Sequence, residues 1–194
     1  MFSGISQNFW INIIGFQLIW WVCVLFGNTW LAIIWALLGC HLLFHREPIP
    51  EACYILICAT LGFGIDTLLT FKGFFIFQDS VLQGAVLQGS TLQSQSPQES
   101  SEIPPLWLFA LWISFSATLR QSLGFFSKHY VLAAILGAIG GSGSYLTAEK
   151  FDQVSFGFTT WYTGFFLAFI WSILFPLLIW ISHYIPRGRY AKVV

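Results

Sequence analysis

Hydrophobic positions in this chain do not alternate with polar ones; they come in unbroken blocks about as long as a membrane is thick. The run Leu31-Ala32-Ile33-Ile34-Trp35-Ala36-Leu37-Leu38 is apolar on every face of whatever element it forms. That excludes the alternating ~10-residue strands of a transmembrane barrel and points to helices. At about 20 residues per crossing, the blocks predict six spans: Phe9 to Phe26, Thr29 to Phe44, Ala52 to Phe71, Leu106 to Phe126, Tyr130 to Ala148 and Phe158 to Ser182. Gly27-Asn28 allows only a tight hairpin between the first two. The second block is the shortest, and it crosses by thinning the bilayer or by borrowing its flanks.

Composition strengthens this picture. Hydrophobic residues make up 57% of the 194 positions and charged residues 8%, against about 25% charged in soluble domains. The chain therefore reads as an all-α integral membrane protein, a single transmembrane domain over 1–194, with membrane lipids as its partners. It carries no signal for nucleic-acid binding or for a cofactor. Met1 to Asn8 holds no Lys or Arg, and no small-residue cleavage pattern follows the first block, so the first span is expected to persist. None of Cys23, Cys40, Cys53 and Cys58 forms a Cys-x-x-Cys pair, and all four read as small packing residues.

Charge sets the expected orientation. With the amino terminus in the cytoplasm, Arg46, Arg120, Lys128, Arg187, Arg189 and Lys192 fall on the cytoplasmic side and only Lys72 and Lys150 outside, so the positive-inside rule puts both termini in the cytoplasm. Trp20, Trp21, Trp30, Trp107 and Trp161 then gather at the outer interface and Trp10 and Trp180 at the inner one. Trp35, Trp112 and Trp171 lie mid-span, as packing residues. The polar stretch over 78–105 holds Asp79, Glu99 and Glu102 without a Lys or Arg, as suits an outer-face loop. Its three near-copies, Ser80-Val-Leu-Gln-Gly, Ala85-Val-Leu-Gln-Gly and Ser90-Thr-Leu-Gln-Ser, are too few for a solenoid.

Polar groups inside spans are the candidate chemistry. Asp66, in Leu61-Gly-Phe-Gly-Ile-Asp66, can carry a proton, hold a cation, or serve packing alone. Gln17 and Asn12 add amides to the first span. Tyr145 closes the glycine-rich run Gly137-Ala-Ile-Gly-Gly-Ser-Gly-Ser-Tyr145, whose G-x-x-x-G spacing favours close helix contact. Depth argues against an Arg120–Asp66 ion pair, which only helix tilt would allow, and Arg120 is a candidate for phosphate headgroup contact as much as for a catalytic role. His41 and His45, four apart on one helix face, and His129 and His183 are predicted at the same membrane face. Metal binding there is the lesser reading, because the adjacent-histidine boxes of the membrane diiron enzymes are missing. The interruptions fall in the third and fifth spans, which gives no support to an inverted repeat of the transporter kind.

Taken together, Asn12-x-x-Gly15-Phe-Gln17 with Trp20-Trp21, Gly64-Ile-Asp66, Pro105-Leu-Trp107-Leu-Phe-Ala-Leu-Trp112-Ile-Ser-Phe115 with Leu119 and Ser122-Leu123, and Gly137-Ala-Ile-Gly-Gly with Ser144-Tyr145 resemble a family of uncharacterised bacterial inner-membrane proteins classed as a domain of unknown function. Ser142-Gly143 stands where that family's pattern has a proline, and the 78–105 loop looks like an insertion. The resemblance implies a multi-span inner-membrane protein. It also implies a gene neighbourhood containing cyclopropane-fatty-acid-synthase-like enzymes, hence a role accessory to membrane-lipid modification or envelope stress, with lipid-modifying enzymes as partners. The alternative is a small transporter or proton-coupled carrier centred on Asp66. An enzyme ranks third, since no nucleophile–base pair is visible.

Overall fold

The computed structural model describes residues 8–45, 47–77 and 103–185. Six α-helices dominate it: α1 (Phe9–Phe26), α2 (Leu31–Leu43), α3 (Pro48–Phe71), α4 (Leu106–Ser116), α5 (Tyr130–Lys150) and α6 (Thr160–Tyr184). Four helical stretches are long and apolar enough to cross a membrane: Phe9–Leu43, Pro48–Phe71, Tyr130–Lys150 and Thr160–Tyr184. The first bends at Gly27, whose φ of 53° few other residues adopt, and a 3₁₀ turn over Gly27–Trp30 separates α1 from α2. Asn8 starts α1 by accepting the Trp10 and Ile11 amides at 3.0 and 3.3 Å. Pro48 starts α3, where its missing N–H costs nothing.

The segments run alternately between two ends of one bundle. At the terminal end, Ser122 Oγ donates to the Phe9 carbonyl (3.1 Å), Gln121 Nε2 to Glu51 (2.8 Å) and Arg120 Nη2 to the Ile185 carbonyl (2.6 Å). These bonds gather the starts of α1 and α3, the stretch after α4 and the end of α6. At the opposite, hairpin end, Asn28 accepts the Trp107 amide at 3.2 Å. There two short strands, β1 (Phe75–Ile76) and β2 (Ser155–Phe156), pair antiparallel with Phe75 opposite Phe156 and Ile76 opposite Ser155. Neither strand is predicted by the hydrophobic pattern. The most extensive packing is of α5 on α6 and of α3 on α4, while α1 and α2 both lie against α4.

The fourth predicted span departs from expectation. Its helix stops at Ser116, and the chain continues to Phe126 as successive turns and a 3₁₀ segment over Gly124–Lys128. Side chains compete for the backbone here: Thr118 Oγ1 donates to the Phe115 carbonyl at 2.6 Å and Asn12 Nδ2 takes the Ala117 carbonyl at 3.3 Å. Ala117, Thr118 and Leu119 are buried in protein, the setting in which non-helical backbone is tolerated at membrane depth. The predicted loop over 78–105 falls outside the described residues except for 103–105, and Arg46, Arg187, Arg189 and Lys192 also lie outside them. Trp35, expected to fill a packing gap, is 40% exposed; Cys40 and Cys53 are exposed as well, while Cys23 and Cys58 are buried.

Candidate functional site

Asp66 lies about four-fifths of the way along α3 and is 2% exposed. Trp112 of α4 donates its indole N–H to Oδ2 at 2.6 Å, and the Tyr145 hydroxyl of α5 lies 2.7 Å from both carboxyl oxygens. Among the described residues Asp66 forms no ion pair, so three helices meet at a carboxyl group held by neutral donors. The donors are themselves fixed by flat ring contacts. Trp112 stacks on Trp171 at 5.3 Å with planes 4° apart, and Tyr145 stacks on Phe75 of β1 at 5.0 Å and 1°. Space for the indole pair comes from two glycines: a Cβ on Gly62 would collide with Trp112, and one on Gly141 with Trp171.

Beside this knot lies a cavity of about 640 Å³ between α1, α4 and α5, backed by Trp171 and Phe175 of α6. Trp112 and Tyr145 line it; Asp66 sits behind them and does not. The walls are mostly apolar and rich in aromatic rings, with Phe16, Trp20, Trp107 and Phe115 joining the groups already named. Gln17, Leu136, Ile139 and Gly140 line it and are exposed, so it opens on the flank of the bundle midway along α1 and α5. Among the described lining residues there is no Lys, Arg, His, Asp or Glu.

A second polar cluster closes the terminal end. Glu51, 2% exposed in the first turn of α3, accepts the Tyr54 hydroxyl and Gln121 Nε2 on Oε1, both at 2.8 Å. His41 Nε2 stands 3.5 Å from Oε1 and His45 Nε2 3.4 Å from Oε2, contacts that become ion pairs when the imidazoles are protonated. The Arg120 guanidinium lies over the Tyr54 ring at 3.9 Å, donates through Nε to the Ser182 carbonyl and, as above, caps Ile185. Arg120 thus neutralises the carbonyl end of α6. Arg120, a candidate for phosphate headgroup contact, is 8% exposed and makes these internal contacts.

Of the sequence-derived candidates, Asp66 and Tyr145 come together and Gln17 shares their cavity. Asn12 belongs elsewhere, accepting the Ser122 hydroxyl at 2.6 Å near the terminal end. The four histidines do not converge: His129 stacks on Phe125 at 4.4 Å, and the His183 ring lies within 3.1 Å of the Ser182 hydroxyl. Among the described residues no group of three or more His, Cys, Asp and Glu side chains is disposed to hold a metal ion. Sequence reasoning missed Trp112, Trp171 and Phe75 around Asp66. A signal for Trp112 was present, since a mid-span indole N–H needs an acceptor and Asp66 is the one acid inside a predicted span. Glu51, Tyr54 and Gln121 were missed too, because an acid in a first helical turn reads as ordinary dipole complementation.

A family model described as a protein of unknown function (DUF2878) matches residues 9–177, a stretch that includes all three helices of the Asp66 knot and the whole cavity. No curated protein and no solved structure matches the chain.

Proposed function

Belonging as it does to the DUF2878 family, whose description gives no activity, the chain must be read from its own geometry, and we propose that it is a multi-span membrane protein that takes a lipid into the flank cavity and serves membrane-lipid modification as an accessory protein. The observation that carries this reading is the cavity itself. Its volume lies within the ~300–1,000 Å³ range of small-molecule sites. Its walls are apolar and aromatic, and its mouth is on the flank of the bundle midway along α1 and α5, the side that would meet hydrocarbon if these helices span a membrane. The reading includes six crossings of a bacterial inner membrane with both termini in the cytoplasm. What supports that is the alternation of the six segments between the two ends, with Arg120 and Lys128 towards one end and Lys72 and Lys150 at the other. Lipid-modifying enzymes are the partners it would serve.

The test is comparative lipidomics of a deletion strain complemented by the parent or by Gly140→Leu. Gly140 lines the cavity mouth and a Cβ there meets nothing within 4 Å, so leucine is the substitution chosen to fill the mouth, with its melting temperature compared with the parent's as the check on folding. The expected outcome is an altered acyl-lipid profile in the deletion strain that the parent restores and Gly140→Leu does not. An unchanged profile would overturn the reading. It would favour the second one, a proton-coupled carrier, which rests on Asp66 being linked to the cavity through the Tyr145 hydroxyl.

A further inference from the structure

Besides its indoles, of which the buried Trp107 N–H has no partner among the described residues, the cavity is lined by four polar side chains, and the protein satisfies three of them. Ser144 Oγ donates to the Gly141 carbonyl at 2.7 Å, Thr147 Oγ1 to the Gly143 carbonyl at 2.8 Å, and Tyr145 to Asp66. The fourth, Gln17, has no hydrogen-bond partner for its amide among the described residues, although it is exposed at the cavity mouth midway along α1. A primary amide offers two donors and an acceptor oxygen with two lone pairs. Left unmade in hydrocarbon, each such bond costs about 1–3 kcal/mol, so a glutamine at this depth calls for a polar partner that arrives with an apolar body.

The occupant's charge can be argued from the same walls. A phosphate drawn to mid-helix depth needs an Arg or Lys beside it, and the described lining offers no charged side chain of either sign. A single hydroxyl or carbonyl needs only a neutral donor or acceptor, which is what Gln17 supplies. We propose that the Gln17 amide recognises the head of a neutral lipid carrying a hydroxyl or carbonyl on a hydrocarbon tail, with the tail lying against the cavity's aromatic rings. Diacylglycerol and an isoprenoid alcohol are the two sources of that chemistry. The proposal rests on the lipid-binding reading of the cavity and adds the identity of the headgroup.

The tryptophans that line the cavity, Trp20, Trp107, Trp112 and Trp171, provide the readout. The full chain is placed in phosphatidylcholine nanodiscs containing rising mole fractions of brominated diacylglycerol, brominated isoprenoid alcohol or brominated phosphatidylglycerol, and quenching is followed for the parent, Gln17→Leu and Gly140→Leu. Quenching that saturates at low mole fraction is expected for one of the two neutral lipids, and that arm identifies the source. Its apparent affinity should exceed that of phosphatidylglycerol by about 10-fold and fall about 5- to 10-fold in Gln17→Leu, the equivalent of one hydrogen bond. If phosphatidylglycerol quenches equally well and Gln17→Leu changes nothing while Gly140→Leu abolishes saturation, the cavity still takes lipid and the headgroup inference is overturned. Quenching that only grows in proportion to mole fraction for every lipid, unaltered by Gly140→Leu, would overturn the cavity reading as well.

Discussion

Among the described residues, neutral donors alone hold the carboxyl group of Asp66, and that choice of partners has consequences for what each substitution removes. Tyr145→Phe deletes one donor and leaves Trp112 in place, so it should cost about 1 kcal/mol, the usual worth of a hydrogen bond between membrane helices. Asp66→Leu deletes the acceptor and strands both the indole N–H and the phenol in apolar surroundings, for about 2–4 kcal/mol. Unfolding of the purified protein in detergent should rank the two in that order. Parent-like stability of Asp66→Leu would show that the knot does not hold the helices together. Asp66→Asn keeps an acceptor oxygen, and the Tyr145 hydroxyl can turn to match it, so this variant should fold. It is therefore the variant that bears on the carrier reading: if it retains the parent's phenotype, proton coupling at Asp66 is excluded.

Helix contact in this bundle is governed by which glycines face aromatic rings. The spacing of Gly137 and Gly141 marks a close approach in the sequence, and the structure has one there: a Cβ on Gly137 would sit 2.7 Å from Phe175 Cβ and 2.8 Å from the Trp171 carbonyl. What the sequence does not disclose is the partner, because a G-x-x-x-G face accepts any helix that can approach it. Gly62 and Gly64 look equivalent in sequence, yet only Gly62 is pressed against an indole, while a Cβ on Gly64, Gly140 or Gly143 meets nothing within 4 Å. Alanine should separate the two sets. Gly62→Ala and Gly141→Ala should lose about 1–3 kcal/mol by overpacking the Trp112 and Trp171 stack. Gly140→Ala and Gly143→Ala should be neutral or gain up to about 1 kcal/mol from helix propensity. Melting temperatures of the four variants in one detergent check the pattern, and a uniform response across the set would refute it.

At the scale of the whole molecule, the apolar blocks sufficed for α1, α3, α5 and α6, whose ends differ from the predicted spans by a few residues. They failed after Ser116, where hydropathy continues but Ser, Thr and Arg side chains redirect the backbone, and they gave no hint of the cavity, which is a gap between helices and not a property of any one of them. The number of crossings turns on the same stretch. At ~1.5 Å per residue, the 11 residues of α4 span only about half of a ~30 Å hydrocarbon core, so a sixfold crossing requires the turns after Ser116 to complete the passage inside the protein. That arrangement makes a directional prediction. In a cysteine-free background, Lys128→Cys follows those turns and Lys72→Cys closes α3, at opposite ends of the bundle. A membrane-impermeant maleimide added to intact spheroplasts should label Lys72→Cys and spare Lys128→Cys until the membrane is opened. Labelling of both from outside would mean that the segment from α4 to Lys128 returns to the side it came from, leaving five crossings and a cavity whose inner wall is a re-entrant loop.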